Sequence, residues 1–140
     1  MCAKSTMAYG PYEGQRETTV FEDWKRGIET VAKHTNVVVK TGGCGMPSYG
    51  FGHEKGDDGP PASDVLAAAW KPYFEFVLEH FGADRCMFES NFPVDKVSCS
   101  YTGLWNAFKI IADQLALSQD EKNAMFYGTA ARAYSLVLTL

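Results

Sequence analysis

Long apolar runs, clusters of basic residues and closely paired cysteines are all missing from this sequence of 140 residues. A helix that spans a bilayer needs roughly 18 or more apolar residues in a row, so the sequence predicts no membrane segment. The 13 Lys and Arg residues are scattered and the net charge is -4, which argues against nucleic acid as a partner. Residues 1–7 contain no apolar core of a secretory signal, and the expected compartment is therefore the cytoplasm.

The four cysteines, Cys2, Cys44, Cys86 and Cys99, form no recognisable metal-binding pattern. None belongs to a C-x2-C pair, and none lies near a histidine at zinc-finger spacing. Disulfides are rare in cytoplasmic proteins, and a free cysteine packs as a small apolar residue. We therefore expect four buried or half-buried free thiols.

The composition provides enough apolar material for one packed domain. Hydrophobic residues make up 46% of the chain and aromatic residues 14%, which is far from a disordered composition. Residues 1–17 are polar and show no periodicity, so they are predicted to be a leader or loop before a domain at residues 18–140. That domain is predicted to begin with a helix, because Phe21, Trp24 and Ile28 recur at steps of three and four residues.

Two short apolar segments predict buried strands. Residues 36–41 contain three consecutive valines, and residues 85–89 read RCMFE. A Gly- and Pro-rich loop at residues 42–61 and a helix from Ser63 to Gly82 separate them. Alternation of helices with continuous apolar strands predicts a parallel α/β sheet. Two strands alone leave two open edges and cannot cover both of their faces, so something is missing from the sheet.

Two further helices are predicted after the second strand. Leu104, Phe108 and Ile111 share one face of the first of these helices. Ser118 and Glu121 form an S-x-x-E capping box, which marks the start of the second.

Three segments carry a resemblance to a known family. Residues 36–43 read NVVVKTGG, residues 81–94 read FGADRCMFESNFPV, and residues 128–134 read GTAARAY. In this order they resemble the amidohydrolase-related family, which includes sugar-acid and pyrone dicarboxylate lactonases and related decarboxylases. The resemblance extends over roughly residues 10–136. It implies that the two strands are the last two of a (β/α)8 barrel, a fold that needs about 250 residues.

The resemblance also implies an activity and a cofactor. It implies the C-terminal part of a hydrolase that acts on lactone, amide or similar bonds of a small carboxylated substrate. A divalent metal such as zinc or manganese, held in part by an H-x-H motif, is usual in the full-length family, although some lactonases of this type work without one. His34, His53 and His80 are isolated from one another, so no metal is expected for this chain alone, and we expect it to be inactive alone. The expected origin of such a chain is a truncated gene product or a misplaced start codon.

Asn91 and Asp95 are the candidate catalytic residues. The family usually places an aspartate at the position of Asn91, where it binds metal or acts as a general base. Asparagine cannot take up a proton, so Asp95 or Glu89 is the candidate for the missing carboxylate. The alternative is that Asn91 makes only turn hydrogen bonds and that Asp95 is a solvated loop residue.

Lys40 is the candidate substrate-binding residue. It shares a strand face with Val38 and is predicted to lie near the mouth of the barrel, where it could bind a substrate carboxylate. The alternative is a lysine that extends to solvent at a strand end. In the loop that follows, His53 lies beside Glu54, Asp57 and Asp58, and a surface cluster is favoured over a metal site.

A second function is consistent with the same features. The chain could be a non-catalytic α/β module that associates with itself or with a partner through its open strand edges. A nucleotide-binding domain is disfavoured. The G-x-G-x-x-G pattern would need a glycine in place of Ser48, and no G-K-[ST] pattern follows the glycines at 42, 43 and 45.

Overall fold

The computed structural model describes residues 14–49, 51–55 and 59–137. Helices alternate with two strands and are followed by a helical C-terminal segment. The elements are α1 (Phe21–Ala32), β1 (Val39–Gly42), α2 (Ser63–Phe81), β2 (Cys86–Glu89), α3 (Tyr101–Gln114), α4 (Gln119–Asn123) and α5 (Thr129–Ala133).

The two strands form a parallel pair in which Val39 lies opposite Cys86 and Gly42 opposite Glu89. The predicted parallel βαβ unit is therefore present, with α2 as the connecting helix. The first strand begins three residues later than predicted and ends one residue later, at Gly42. Because the strands are parallel, the segments that leave their carboxyl ends emerge at the same edge of the sheet.

One face of the sheet is covered by helices. Side chains alternate along a strand, so Val39 and Thr41 share a face with Cys86 and Phe88, and all four are buried. On the opposite face, Val38 is 40% exposed and Lys40 is also exposed. The prediction that the first strand is buried on both faces is wrong at these positions, although Met87 of β2, which lies opposite Lys40 on the same face, is buried.

Aromatic side chains from three elements form the centre of the core. Phe88 of β2 stacks on Phe108 of α3, with ring centroids 4.7 Å apart, and Phe74 of α2 lies 5.5 Å from Phe108. Phe126, between α4 and α5, approaches the other side of Phe88 at 4.7 Å. The strand thereby joins both long helices and the C-terminal segment through one side chain.

Arg85 ties the start of β2 to the two helices α1 and α2. The guanidinium of Arg85 donates to the carbonyl oxygens of Ala32, the last residue of α1, and of His34 just after it, and to those of His80 and Phe81 at the end of α2. The last carbonyls of a helix have no intrahelical partner, so the cation satisfies those of Ala32, His80 and Phe81.

The C-terminal segment is also tied to β2. The hydroxyl group of the buried Thr129 donates to the carbonyl oxygen of Asp84, which fixes α5 against the turn before β2. The predicted capping box is confirmed, because Ser118 and Glu121 exchange backbone and side-chain hydrogen bonds at the start of α4.

The cysteines differ in part from the prediction. Cys86 and Cys99 are free and buried, and burial raises the pKa of each thiol, to about 12 and about 11. Cys44 is disulfide-bonded, so the prediction of a free thiol is wrong at this position. Cys2 and most of the predicted leader at residues 1–17 lie outside the described residues. Within the described residues, no helix has the length and apolar character to cross a membrane.

The position of Phe88 predicts a large effect of its truncation. Replacing Phe88 with alanine should lower the free energy of unfolding by about 3–5 kcal/mol, because a large core side chain is lost and a cavity is left. Urea unfolding followed by tryptophan fluorescence measures the change. The matched control, Val97→Ala at an exposed position, should change the free energy by less than about 0.5 kcal/mol. Equal effects of the two substitutions would contradict this assignment of the core.

Candidate active site at the strand ends

The segments that leave β1 and β2 come together at the carboxyl edge of the sheet. A Cβ atom at Gly42 would lie 2.2 Å from the carbonyl oxygen of Glu89, so only glycine permits this approach. In open and closed α/β sheets this edge is where ligands bind. The residues that follow Gly42 and Glu89 therefore form the candidate site.

Asn91 directly follows the bend at the end of β2. Its φ angle of 52° lies in the left-handed region, which asparagine tolerates better than most residues. Its carbonyl oxygen accepts hydrogen bonds from the backbone N–H groups of Val94, at 2.9 Å, and Asp95, at 3.3 Å. Its side-chain Nδ2 donates to Oδ1 of Asp95 at 2.7 Å. The predicted turn hydrogen bonds are present at the backbone of Asn91. The bond from its side chain to Asp95 is additional to them.

Asp95 is completely buried, with 0% of its surface exposed. Oδ1 accepts the bond from Asn91, and Oδ2 accepts a hydrogen bond of 3.1 Å from the backbone N–H of Gly45, in the segment after β1. The alternative of a solvated loop residue is therefore wrong. Burial raises the pKa of the Asp95 carboxyl and the charge of Glu89 adds to that rise, while the two hydrogen bonds oppose it.

Lys40 forms an ion pair with Glu89 across the exposed face of the sheet. The Nζ to Oε2 distance is 2.6 Å, and 50% of the lysine side chain and 26% of the glutamate side chain remain exposed. The hydrogen bond and the negative charge of Glu89 raise the pKa of Lys40. A substrate carboxylate would have to compete with Glu89 for this lysine, and its role in substrate binding stays a prediction.

Tyr49 is a member of the site that sequence reasoning missed. A Cβ atom at Gly43 would lie 3.4 Å from the Tyr49 ring and 3.6 Å from Nδ2 of Asn91, so both groups lie against this glycine. Burial raises the pKa of the phenol, and the charges of Asp95 and Glu89 raise it further, so the hydroxyl stays protonated. A tyrosine in a long Gly- and Pro-rich loop gives no periodic signal that would distinguish it from other loop residues.

The side chains of the site do not fit a metal centre by themselves. Within the described residues, no group of three or more His, Cys, Asp or Glu side chains could hold a metal ion. Both oxygens of Asp95 already accept hydrogen bonds, and Glu89 is paired with Lys40. His53 is half-buried and stacks on Phe51 at 6.1 Å. Asp57 and Asp58, its predicted companions, lie outside the described residues.

The family model for amidohydrolases matches residues 7–136, so the chain belongs to the amidohydrolase family. The predicted resemblance is therefore confirmed. At the level of fold, the described structure is a parallel α/β unit of the kind from which (β/α)8 barrels are built.

Two proteins of known sequence resemble the chain over most of its length. It is 38% identical over 114 residues to the uncharacterized protein y4mH of Sinorhizobium fredii. It is 29% identical over 124 residues to an L-fucono-1,5-lactonase of Burkholderia multivorans. The matches cover 81% and 89% of this chain but only 33% and 39% of those proteins.

Solved structures also match most of this chain and less than half of their own length. A crystal structure of an amidohydrolase from Burkholderia multivorans with bound zinc superposes with a TM-score of 0.71 at 26% identity, covering 85% of this chain and 39% of the other. A second amidohydrolase structure from that organism, with bound HEPES, gives a TM-score of 0.70 at 29% identity, covering 89% and 40%. The chain thus spans about a third to two-fifths of the length of the relatives it matches.

The bond between Asn91 and Asp95 predicts a pH-dependent effect of Asn91→Asp. The substitution places a second carboxyl beside the buried Asp95, and two adjacent carboxylates cannot both be ionised at low cost, so one folded-state pKa rises above its unfolded value. The folded state then binds an extra proton, and its stability is lost as pH rises through that value. Each unit of pKa rise lowers the free energy of unfolding by about 1.4 kcal/mol at high pH.

Urea unfolding at pH 5 and pH 8 tests this prediction. The difference between the wild-type chain and Asn91→Asp should be larger at pH 8. The control, Asn106→Asp on the exposed side of α3, should show little pH dependence. A difference that is the same at both pH values would contradict the close contact with Asp95.

Proposed function

We propose that this chain is the last-two-strand portion of a (β/α)8 barrel hydrolase that opens a lactone, amide or similar bond of a small carboxylated substrate. The observation that carries the proposal is the edge of the parallel sheet, where Asn91 and the glycine-rich segment after β1 meet at the carboxyl ends of both strands. Amidohydrolase membership and similarity to an L-fucono-1,5-lactonase support this class of reaction.

The polar groups of the chain are suited to orienting a substrate. Asn91 offers a carboxamide, which forms hydrogen bonds but transfers no proton. Tyr49 offers a protonated hydroxyl, which is a donor for a carbonyl oxygen on which negative charge develops. Lys40 offers a cation for a substrate carboxylate, if that carboxylate displaces Glu89.

The activation of water is assigned to residues outside this chain. A related amidohydrolase contains bound zinc, and a divalent metal such as zinc or manganese would supply an activated water in an intact barrel. The described residues of this chain do not form such a centre. We therefore propose that the chain alone is inactive and that its small-molecule substrate binds only in the completed barrel. The cytoplasm stays the proposed compartment, and the disulfide-bonded Cys44 is a feature that is rare there.

Fragment complementation tests the proposal. The purified chain is mixed with the portion of the Burkholderia multivorans L-fucono-1,5-lactonase that it does not match, with zinc or manganese present. Lactone opening releases acid, which a pH indicator follows. We expect no hydrolysis by either part alone and measurable hydrolysis by the mixture.

Asn91→Leu is the site variant for the same assay, and Asn106→Leu on the exposed side of α3 is its matched control. The site variant should lower the rate of the mixture by about tenfold or more, through the loss of a polar contact to substrate. Hydrolysis by the chain alone would overturn the proposed dependence on a second part. An equal rate for Asn91→Leu would remove Asn91 from the site.

A second candidate function, a non-catalytic interaction module, is favoured by exposed residues of the first strand segment. Val38 and Lys40 are exposed there, and β1 pairs with β2 along one edge only within the described residues. Exposed strand edges and apolar surface promote association with other chains. A stable complex between the two parts without hydrolysis would support this function over catalysis.

Self-association of the chain alone is a further prediction. Light scattering after size-exclusion chromatography should give a mass above the 15.5 kDa of one chain. Val38→Lys should shift the mass towards that of the monomer, because a charge replaces apolar surface beside the open strand. Val65→Lys, at an exposed position on α2, serves as the control and should leave the mass unchanged. A monomeric wild-type chain would contradict the prediction.

A further inference from the structure

Asp95 joins the two segments that form the candidate site. It is the only buried charged residue in the described part of the chain, and each of its carboxyl oxygens is bonded to a different segment. Oδ1 binds the side chain of Asn91, after β2, and Oδ2 binds the backbone N–H of Gly45, after β1.

Gly45 approaches Asp95 so closely that no side chain fits between them. A Cβ atom at Gly45 would lie 2.7 Å from Cβ of Asp95 and 2.8 Å from its Cγ. On its other side, the backbone carbonyl oxygen of Asp95 accepts hydrogen bonds from the N–H groups of Ser98, at 3.0 Å, and Cys99, at 3.2 Å. These bonds hold the backbone of Asp95, and Gly45 holds its carboxyl group, which cannot rotate away from Asn91 without losing the hydrogen bond from the Gly45 N–H.

The chemistry of a carboxylate determines which way the Asn91 amide faces. Both oxygens of the Asp95 carboxyl accept hydrogen bonds, and the group of Asn91 that approaches Oδ1 at 2.7 Å is the Nδ2 donor. In a planar carboxamide the oxygen then points away from Asp95. Asn91 is half-buried, whereas Asp95 is fully buried.

We propose that Asp95 is a positioning residue that holds the carboxamide of Asn91 with its oxygen facing the strand-end site, as an acceptor for a hydroxyl group of the substrate or for a water molecule. The inference rests on the proposed function for the nature of the ligand. A neutral residue at position 95 would fill the same space, but an amide there could accept or donate and would not impose one orientation. A carboxylate imposes it.

Side-chain amide NMR of the full chain labelled with 15N-asparagine tests the proposal. The sequence contains four asparagines, at positions 36, 91, 106 and 123, and Asn91→Ser identifies the signal of Asn91 by its loss. In the wild-type chain, the Nδ2 protons of Asn91 should exchange with water about tenfold more slowly than those of the exposed Asn106, because one of them is bonded to a buried carboxylate.

Three variants separate positioning from a general effect on folding. Asp95→Ala should bring exchange at Asn91 to within about twofold of Asn106, because the acceptor is lost. Asp95→Asn retains a carbonyl acceptor and should restore part of the protection, which a purely structural defect would not do. Asp113→Ala, at an exposed carboxylate paired with Lys122, should leave the Asn91 signal unchanged.

The outcomes are distinct from those of the lactone assay. Unchanged exchange at Asn91 in both Asp95 variants would overturn the proposal, even if the complemented barrel hydrolyses lactones. Loss of protection in Asp95→Ala with partial recovery in Asp95→Asn would support it, even if no lactone is opened. The orientation of the amide and the reaction class can therefore fail independently.

Discussion

The parallel pairing of β1 with β2 is the constraint on which the rest of this structure depends. With Val39 opposite Cys86 and Gly42 opposite Glu89, Phe88 points towards the helices and both strand ends reach the same edge. A shift of one residue would move every side chain to the other face of the sheet. The absence of a side chain at Gly42 permits the close approach to Glu89 that this register requires.

The same pairing gives the two faces of the sheet different solvent exposure. Phe88 and its aromatic neighbours bury the helix-facing side, whereas on the opposite side Val38 and Lys40 are exposed and Met87 is buried. In a closed barrel the second face lines the interior, where polar groups at the strand ends meet the substrate. The ion pair between Lys40 and Glu89 is suited to such a position, because each charge is balanced while both remain partly accessible.

The spacing of apolar residues and the residues typical of helix ends predicted much of the fold from the sequence. The stripe at Phe21, Trp24 and Ile28 lies in α1, and the helix from Ser63 ends at Phe81, just before Gly82. Burial on both faces of the first strand was predicted wrongly, because three consecutive valines do not reveal which of them meets a helix. The later start of β1, at Val39, has the same cause: the apolar run extends beyond the paired residues.

The candidate site was predicted in part. Asn91 and Asp95 were selected by their position after the second strand, but their hydrogen bond depends on the left-handed φ of Asn91, which the sequence does not specify. The contact with Gly45 joins residues 50 positions apart, and no local pattern encodes it. Tyr49 was missed for the same reason, since its position beside Gly43 depends on how a long loop folds back on the strands.

Arg85 has a consequence for how this unit holds together. Its single guanidinium bonds to carbonyl oxygens from the ends of α1 and α2, just before the chain enters β2. The planar group has five N–H donors directed along fixed lines, whereas a lysine in its place would keep the charge but bring only one nitrogen atom. The ends of the two helices and the start of the strand therefore share one corner, so a change at Arg85 would disturb both helix ends together with the strand that leads to Asn91.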